Sequence, residues 1–254
     1  MKHIARKRFG QNFLKDQYII HQIIDAIDPQ PEDLMLEIGP GKAALTEPLL
    51  KRLTHLHVVE IDQNLIRLLR SRFNKQLQIY EGDILSFDFN PLLKDKKKLR
   101  VVGNLPYNIS SPILFHLMRF AGDILDQHFM LQKEVVERML AHPGSKEFGR
   151  LSVMMQARYN MNLLLEVPPE SFDPPPKVYS AVVRMVPKPV ESIADIDFDA
   201  LEKLLAQAFS QRRKMLRNTL SSQLEALAAI GIAPTARAEE ISLEQWLTLL
   251  KHQR

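Results

Sequence analysis

From Leu34 to Leu140 the chain alternates short apolar runs with amphipathic helical patterns, a rhythm that few folds accept. Leu34–Ile38, His55–Ile61, Leu77–Tyr80, Leu99–Val102 and Phe129–Leu131 predict strands, and Ala43–Leu53, Gln63–Phe73 and Val135–Leu140 predict helices. Near-continuous apolar runs are strands covered on both faces, and intervening helices carry the chain back to start the next strand in the same direction. The pattern therefore predicts a parallel, doubly wound α/β sheet. Two later runs, Leu163–Val167 and Val178–Val186, flank a proline-rich loop and predict an antiparallel, hairpin-like pair at the sheet end. Ahead of the sheet, Ile19, Ile20, Ile23, Ile24 and Ile27 recur at helical spacing behind Asp16, a good N-cap, and Pro29 ends the pattern. Beyond a linker at 187–196 the pattern is helical only: Leu201, Leu204, Leu205 and Phe209, then Leu216, Leu220, Leu224 and Leu227, then Leu243–Leu250 behind Ser242. Three segments are expected: a basic N-terminal lid (1–15), a sheet domain (16–187) and a small helical domain (188–254).

Hydrophobic residues make up 45% of the 254, enough for a real core, yet no run approaches the ~18 apolar residues of a membrane span. The first residues are basic without the apolar stretch of a signal peptide. The absence of cysteine excludes disulfides, thiolate metal sites, iron-sulfur clusters and a cysteine nucleophile, and a reducing cytosol is the expected compartment. Net charge is only +4, but it is segregated. Lys2, Arg6, Lys7, Arg8 and Lys15 form one run, Lys94, Lys96, Lys97, Lys98 and Arg100 a second, and Arg212, Arg213, Lys214 and Arg217 a third, whereas residues 191–202 hold five acids and no base. Any one run reads equally as solvated surface; three together favour a polyanionic partner, nucleic acid above all.

In a parallel sheet, ligands gather at the carboxyl ends of the strands. The residues there are Glu37 with Gly39 and Gly41, Glu60 with Asp62, Asp83, and Asn104. Two glycines permit a tight turn, and Glu60, on the next strand, is placed to bind the hydroxyls of an adenosine ribose. Taken alone, that pairing reads as well as a glycine turn beside a surface acid. Three acids on one rim repel a pyrophosphate and attract a cation, which favours S-adenosylmethionine over a dinucleotide. Asp83 is placed to accept from the adenine amine, and it also reads as a turn residue. Asn104-Leu105-Pro106-Tyr107 is the sharpest motif. The Asn104 side-chain oxygen and the Leu105 carbonyl can accept the two hydrogens of an exocyclic adenine amine, Pro106 removes a competing N–H, and Tyr107 offers a stacking face. Across from it, Phe172 leads a stiff run of three prolines, either as the opposing wall of the site or as core. His55 and His57 have no third partner at metal-ligand spacing.

These stretches resemble the bacterial small-subunit (16S) ribosomal RNA adenine dimethyltransferases, the kasugamycin-sensitivity methyltransferase family. The likeness is carried by Arg6–Leu14, Glu37–Gly41 with Ala44–Thr46, Glu60–Asp62, Gly103–Ser110, Met130–Val135, Phe172–Val178 and Gln211–Lys214. It implies a Rossmann-like S-adenosylmethionine-dependent methyltransferase whose catalytic domain spans 16–187, with an RNA-binding or substrate-docking domain at 188–254. It further implies dimethylation at N6 of two adjacent adenines near the 3′ end of small-subunit rRNA. The expected partner is that rRNA within a pre-30S or 30S particle, met by a cytosolic monomer with no membrane contact. By matching position, the resemblance puts cofactor contacts at Asn12, Leu14, Gly39, Glu60, Asp83 and Asn104, and the catalytic set at Asn104, Leu105, Pro106, Tyr107 and Phe172. Lys42 departs from the family's usual apolar residue, either to pair with Glu37 or to point outward. Two rivals stand beside this reading: the related large-subunit enzyme of macrolide resistance, and a non-catalytic assembly factor that keeps the pocket.

Overall fold

The computed structural model describes residues 11–73, 75–94, 97–211 and 213–252. The chain divides into two compact units, one of residues 1–136 with 161–187 and one of 137–160 with 188–254.

The first unit opens on a two-residue strand β1 (Phe13–Leu14) and helix α1 (Gln17–Ile27). The Asp16 carboxylate accepts from the backbone N–H groups of Tyr18 and Ile19, satisfying donors that a helix start leaves unpaired, and the five predicted isoleucines are the buried stripe. Strands β2 (Leu34–Ile38), β3 (Leu56–Glu60), β4 (Leu77–Glu81), β5 (Leu99–Asn104) and β6 (Ile124–Gln132) follow, with helices α2 (Thr46–Leu50), α3 (Gln63–Arg72) and α4 (Ser110–Met118) between them and α5 (Lys133–Leu140) after them. Helix α6 (Arg150–Arg158) leads into β7 (Tyr159–Val167), and the two-residue β8 (Phe172–Asp173) precedes β9 (Ser180–Pro187). Seven strands form one sheet in the order β4-β3-β2-β5-β6-β9-β7. The pairs from β4 through β6 are parallel and β9 runs antiparallel to β6, so the two late strands do sit side by side at one end. The isoleucine face of α1 packs into a core that includes Met35, Leu49, Leu56, Val58, Val102, Met130 and Val182. Where β2 and β5 approach, a Cβ on Gly103 would lie 2.7 Å from the Ile38 carbonyl oxygen, so only glycine fits.

Three local expectations shift. Helix α2 starts at Thr46 rather than Ala43, because residues 41–45 form a turn in which Ala43 itself has φ 73. Strand β6 reaches back to Ile124; its buried Asp126, Gln127 and His128 break the apolar run that would have announced it. Arg100, counted in the second basic run, is buried. It donates to both carboxylate oxygens of Asp126, to Asp33, and to the carbonyls of Ile27 and Asp28, so it ties α1 to the sheet instead of facing a polyanion.

In the second unit, helices α7 (Val190–Ile193), α8 (Phe198–Ala208), α9 (Leu216–Thr219), α10 (Leu224–Ala229) and α11 (Leu243–Lys251) join α6 around Leu201, Leu205, Leu216, Leu220, Trp246 and Leu249. Ser242 and Gln245 cap α11 reciprocally. The second unit takes Lys188–Arg254 together with the inserted stretch Glu137–Asn160. That stretch belongs to it because α6 packs on α8 and α11. Helix α6 was illegible in sequence since Val153, Met154, Met155 and Ala157 are all buried, leaving no polar face for a period to show.

Candidate active site

Strands β4, β3, β2 and β5 are adjacent and parallel, so their carboxyl ends share one edge. A cavity of about 320 Å³ opens there, lined by Gln11–Leu14, Glu37–Lys42, Glu60, Ile61, Gly82–Ile84 and Asn104–Ile109 among others. Of the residues expected at a site, Asn12, Leu14, Gly39, Glu60, Asp83, Asn104, Leu105, Pro106 and Tyr107 are all brought to it.

Each is set by its strand end. Gly39 (φ 64) and Gly41 (φ 58) turn the chain out of β2 in the left-handed region. A Cβ on Gly39 would meet nothing within 4 Å, so the loop presents bare backbone there, whereas one on Gly41 would press 3.2 Å from the Phe13 ring. The buried Glu60 carboxylate accepts from the backbone of Ile61 and Asp62, each at 2.9 Å, and from Gly41 at 3.3 Å. Burial pushes its pKa up, and these backbone donors oppose the shift. Asp83 spends one oxygen on the Leu85 amide. Asn104 ends β5, and its Nδ2 donates to the Asn12 carbonyl at 3.0 Å. The Leu105 amide donates to the Met130 carbonyl, and among the described residues nothing donates to the Leu105 carbonyl. The Tyr107 hydroxyl lies 2.6 Å from Ser180 Oγ, and burial raises its pKa.

Three expectations are revised, and the open alternative at Lys42 is decided. Phe172 does not line the cavity: it is wholly buried in the core, paired with Leu14 through β1 and β8, so its ring is packing and not the opposing wall. Glu37 lines the cavity, but burial favours its neutral form, so it adds little negative charge to the rim. Its carboxyl is 2% exposed, accepts from Thr46 Oγ1 at 2.7 Å, and is pushed up to about 8 by burial. Lys42 points away from Glu37. Its Nζ sits 4.3 Å over the Phe13 ring and 3.9 Å from Asp173 Oδ2. Of the expected lid, residues 1–10 lie outside the described residues, and Phe13 and Leu14 are a docked, buried strand, with the Lys15 and Asp16 amides both donating to the Ser171 carbonyl.

Sequence reasoning missed Ser180, whose one visible signal is a hydroxyl at the head of a strand that is apolar apart from Arg184. His57 stacks on Tyr80, and among the described residues no group of three His, Asp or Glu is placed to hold a metal ion.

The sheet order and the cavity at its carboxyl edge define a Rossmann-like S-adenosylmethionine-dependent methyltransferase. A family model described as ribosomal RNA adenine dimethylase matches residues 2–253, and this chain belongs to that family. It is 57% identical over 251 residues to the ribosomal RNA small subunit methyltransferase A of Ralstonia nicotianae, covering 97% of this chain and 89% of that protein. Its identity to the protein of the same name from Cupriavidus metallidurans is 55% over 258 residues, covering 98% and 93%. Among solved structures it is similar to a dimethyladenosine transferase from Plasmodium falciparum, with TM-score 0.82, 29% identity and coverage of 94% and 96%. It is also similar to the 23S rRNA methyltransferase ErmE, with TM-score 0.71, 25% identity and coverage of 94% and 98%.

Proposed function

We propose that the cavity binds S-adenosylmethionine and that the protein dimethylates N6 of two adjacent adenines near the 3′ end of small-subunit rRNA, acting as a cytosolic monomer on a pre-30S or 30S particle. The observation that carries this reading is the orientation of Asn104. A main-chain carbonyl can only accept, so the Asn12 carbonyl at 3.0 Å fixes Nδ2 on its own side and leaves Oδ1 as an oriented acceptor. An adenine amine is a poor nucleophile because its lone pair is delocalised into the ring. Acceptance of its two hydrogens by Asn104 Oδ1 and the Leu105 carbonyl favours the pyramidal nitrogen that attacks. Tyr107 offers a face for the extruded base. Positioning carries the step, and the proton released from N6 leaves to solvent.

The cavity fits the cofactor. Bare backbone at Gly39 admits close approach, Glu60 is placed for ribose hydroxyls, Asp83 retains an oxygen for the adenine amine, and Asn12 and Leu14 cover the same space. When bound, S-adenosylmethionine supplies an electrophilic methyl on a sulfonium. Lys94, Lys97, Lys98, Arg213, Lys214 and Arg217 are exposed, as phosphate contacts require. Identity above 50% to small-subunit enzymes favours that substrate over the large-subunit one.

The test is incubation with labelled cofactor and unmethylated 30S particles, 50S particles or naked rRNA, followed by mapping of the product nucleotides. Dimethyladenosine at an adjacent pair in 30S is expected. Label in 50S alone would transfer the reading to the large-subunit enzyme, and cofactor binding without transfer would leave a non-catalytic assembly factor.

A further inference from the structure

Ser180 is the first residue of β9, fully buried, and its Oγ lies 2.6 Å from the Tyr107 hydroxyl. A buried hydroxyl needs a partner, and among the described residues Tyr107 is the side chain that provides it. Strand β9 holds Ser180 rigidly, in register with Gln132 of β6, while the Lys133 amide donates to the neighbouring Tyr179 carbonyl at 2.9 Å. Tyr107 is thus fixed from two directions: its backbone follows β5 and Asn104, and its ring tip is held from a strand 73 residues away in sequence.

We propose that Ser180 is a positioning residue that sets the tilt of the Tyr107 ring, and that this control weighs most in the second of the two methyl transfers to one nitrogen. The inference rests on the reading that Asn104 and Leu105 accept the N6 hydrogens. An unmodified adenine amine has two N–H groups and engages both acceptors. After one transfer N6 keeps a single N–H, so one acceptor contact is gone and the base is oriented more by its stack on Tyr107. The bond changes are the same both times: an N6–C bond forms, the C–S bond breaks with its electron pair left on sulfur, and one proton passes from N6 to water. Only the holding of the base differs.

Single-turnover methylation of unmethylated 30S particles, with monomethyl- and dimethyladenosine quantified by mass spectrometry, separates the two transfers. Ser180→Ala is expected to slow the first by no more than about threefold and the second by about tenfold, so that monomethyladenosine accumulates. Tyr107→Phe keeps the ring and removes the same hydrogen bond. It should shift the product ratio equally, and the double variant should go no further. Cofactor affinity should be unchanged in Ser180→Ala. Equal slowing of both transfers, or fully additive effects of the two substitutions, would overturn the proposal. Wild-type protein that makes no dimethyladenosine overturns the proposed function itself, whereas normal wild-type product with an unaltered ratio in Ser180→Ala overturns this inference alone.

Discussion

Replacing Glu37 with Gln removes a proton-binding site that folding creates. The Glu37 carboxyl is buried at the end of β2 and raised from 4.5 to about 8 by that burial. Between those two values the folded chain keeps a proton that the unfolded chain has released. Stability from this group is therefore fully present below the unfolded pKa and is lost as pH climbs towards the folded one. Between pH 5 and pH 7 the loss amounts to about 2–3 kcal/mol. Glutamine has nearly the same shape, its oxygen can accept the Thr46 hydrogen bond, and it does not titrate. Other groups tilt the wild-type curve, Glu60 and His128 among them. Glu60, also raised by burial, has the same sign. His128, lowered to about 4 by burial, is neutral in the folded chain while still protonated in the unfolded one, so its contribution rises with pH up to its unfolded value. Both remain in the variant, and the difference between the two proteins isolates Glu37. Calorimetric unfolding from pH 5 to 8 should show the melting temperature of Glu37→Gln gaining on wild type by several degrees as pH rises. Parallel curves would refute a neutral Glu37. A cation bound beside Glu37 should also expel its proton at pH 7. Isothermal titration with S-adenosylmethionine in buffers of different ionisation enthalpy should detect release from wild type and none from the variant.

Glu60→Ala should weaken cofactor binding by roughly 1.5–3 kcal/mol in the same titration, and an unchanged affinity would reject the ribose assignment. Arg100→Met removes the guanidinium shared by the buried Asp126 and the partly buried Asp33, leaving Asp126 the more distant Arg184 at 3.8 Å and Asp33 the Gln30 amide. Denaturant unfolding should record a loss of about 3–5 kcal/mol, and a loss below about 1 kcal/mol would show that the network is not a structural tie. Gly103→Ala places a Cβ 2.7 Å from the Ile38 carbonyl and must part β2 from β5. Lower thermal stability together with weaker cofactor binding is expected, and wild-type values for both would contradict the close approach.

What the sequence determined by itself was local. The isoleucine stripe of α1 behind Asp16, the parallel strands, the glycine turn after β2 and the acids and Asn104 at the strand ends follow from periodicity, capping and turn chemistry within a few residues. Sequence also placed Gly39, Glu60, Asp83 and Asn104 to Tyr107 on what proved to be one cavity, because the ends of adjacent parallel strands must share an edge; Asn12 and Leu14 were expected there only from the family resemblance. Only tertiary structure decided which groups carry charge and which present a face. Glu37 favours its neutral form because the core buries it, against the opposing hydrogen bond from Thr46. Arg100 turns inward because Asp33 and Asp126 come from elements far along the chain. Phe172 is buried because β8 pairs with β1, more than 150 residues earlier. The orientation of the Asn104 amide likewise depends on the Asn12 carbonyl, 92 residues away in sequence. Secondary structure answers to neighbours three or four positions off, but protonation, solvent exposure and side-chain orientation answer to whatever the fold brings within a few ångströms, and no local pattern records that.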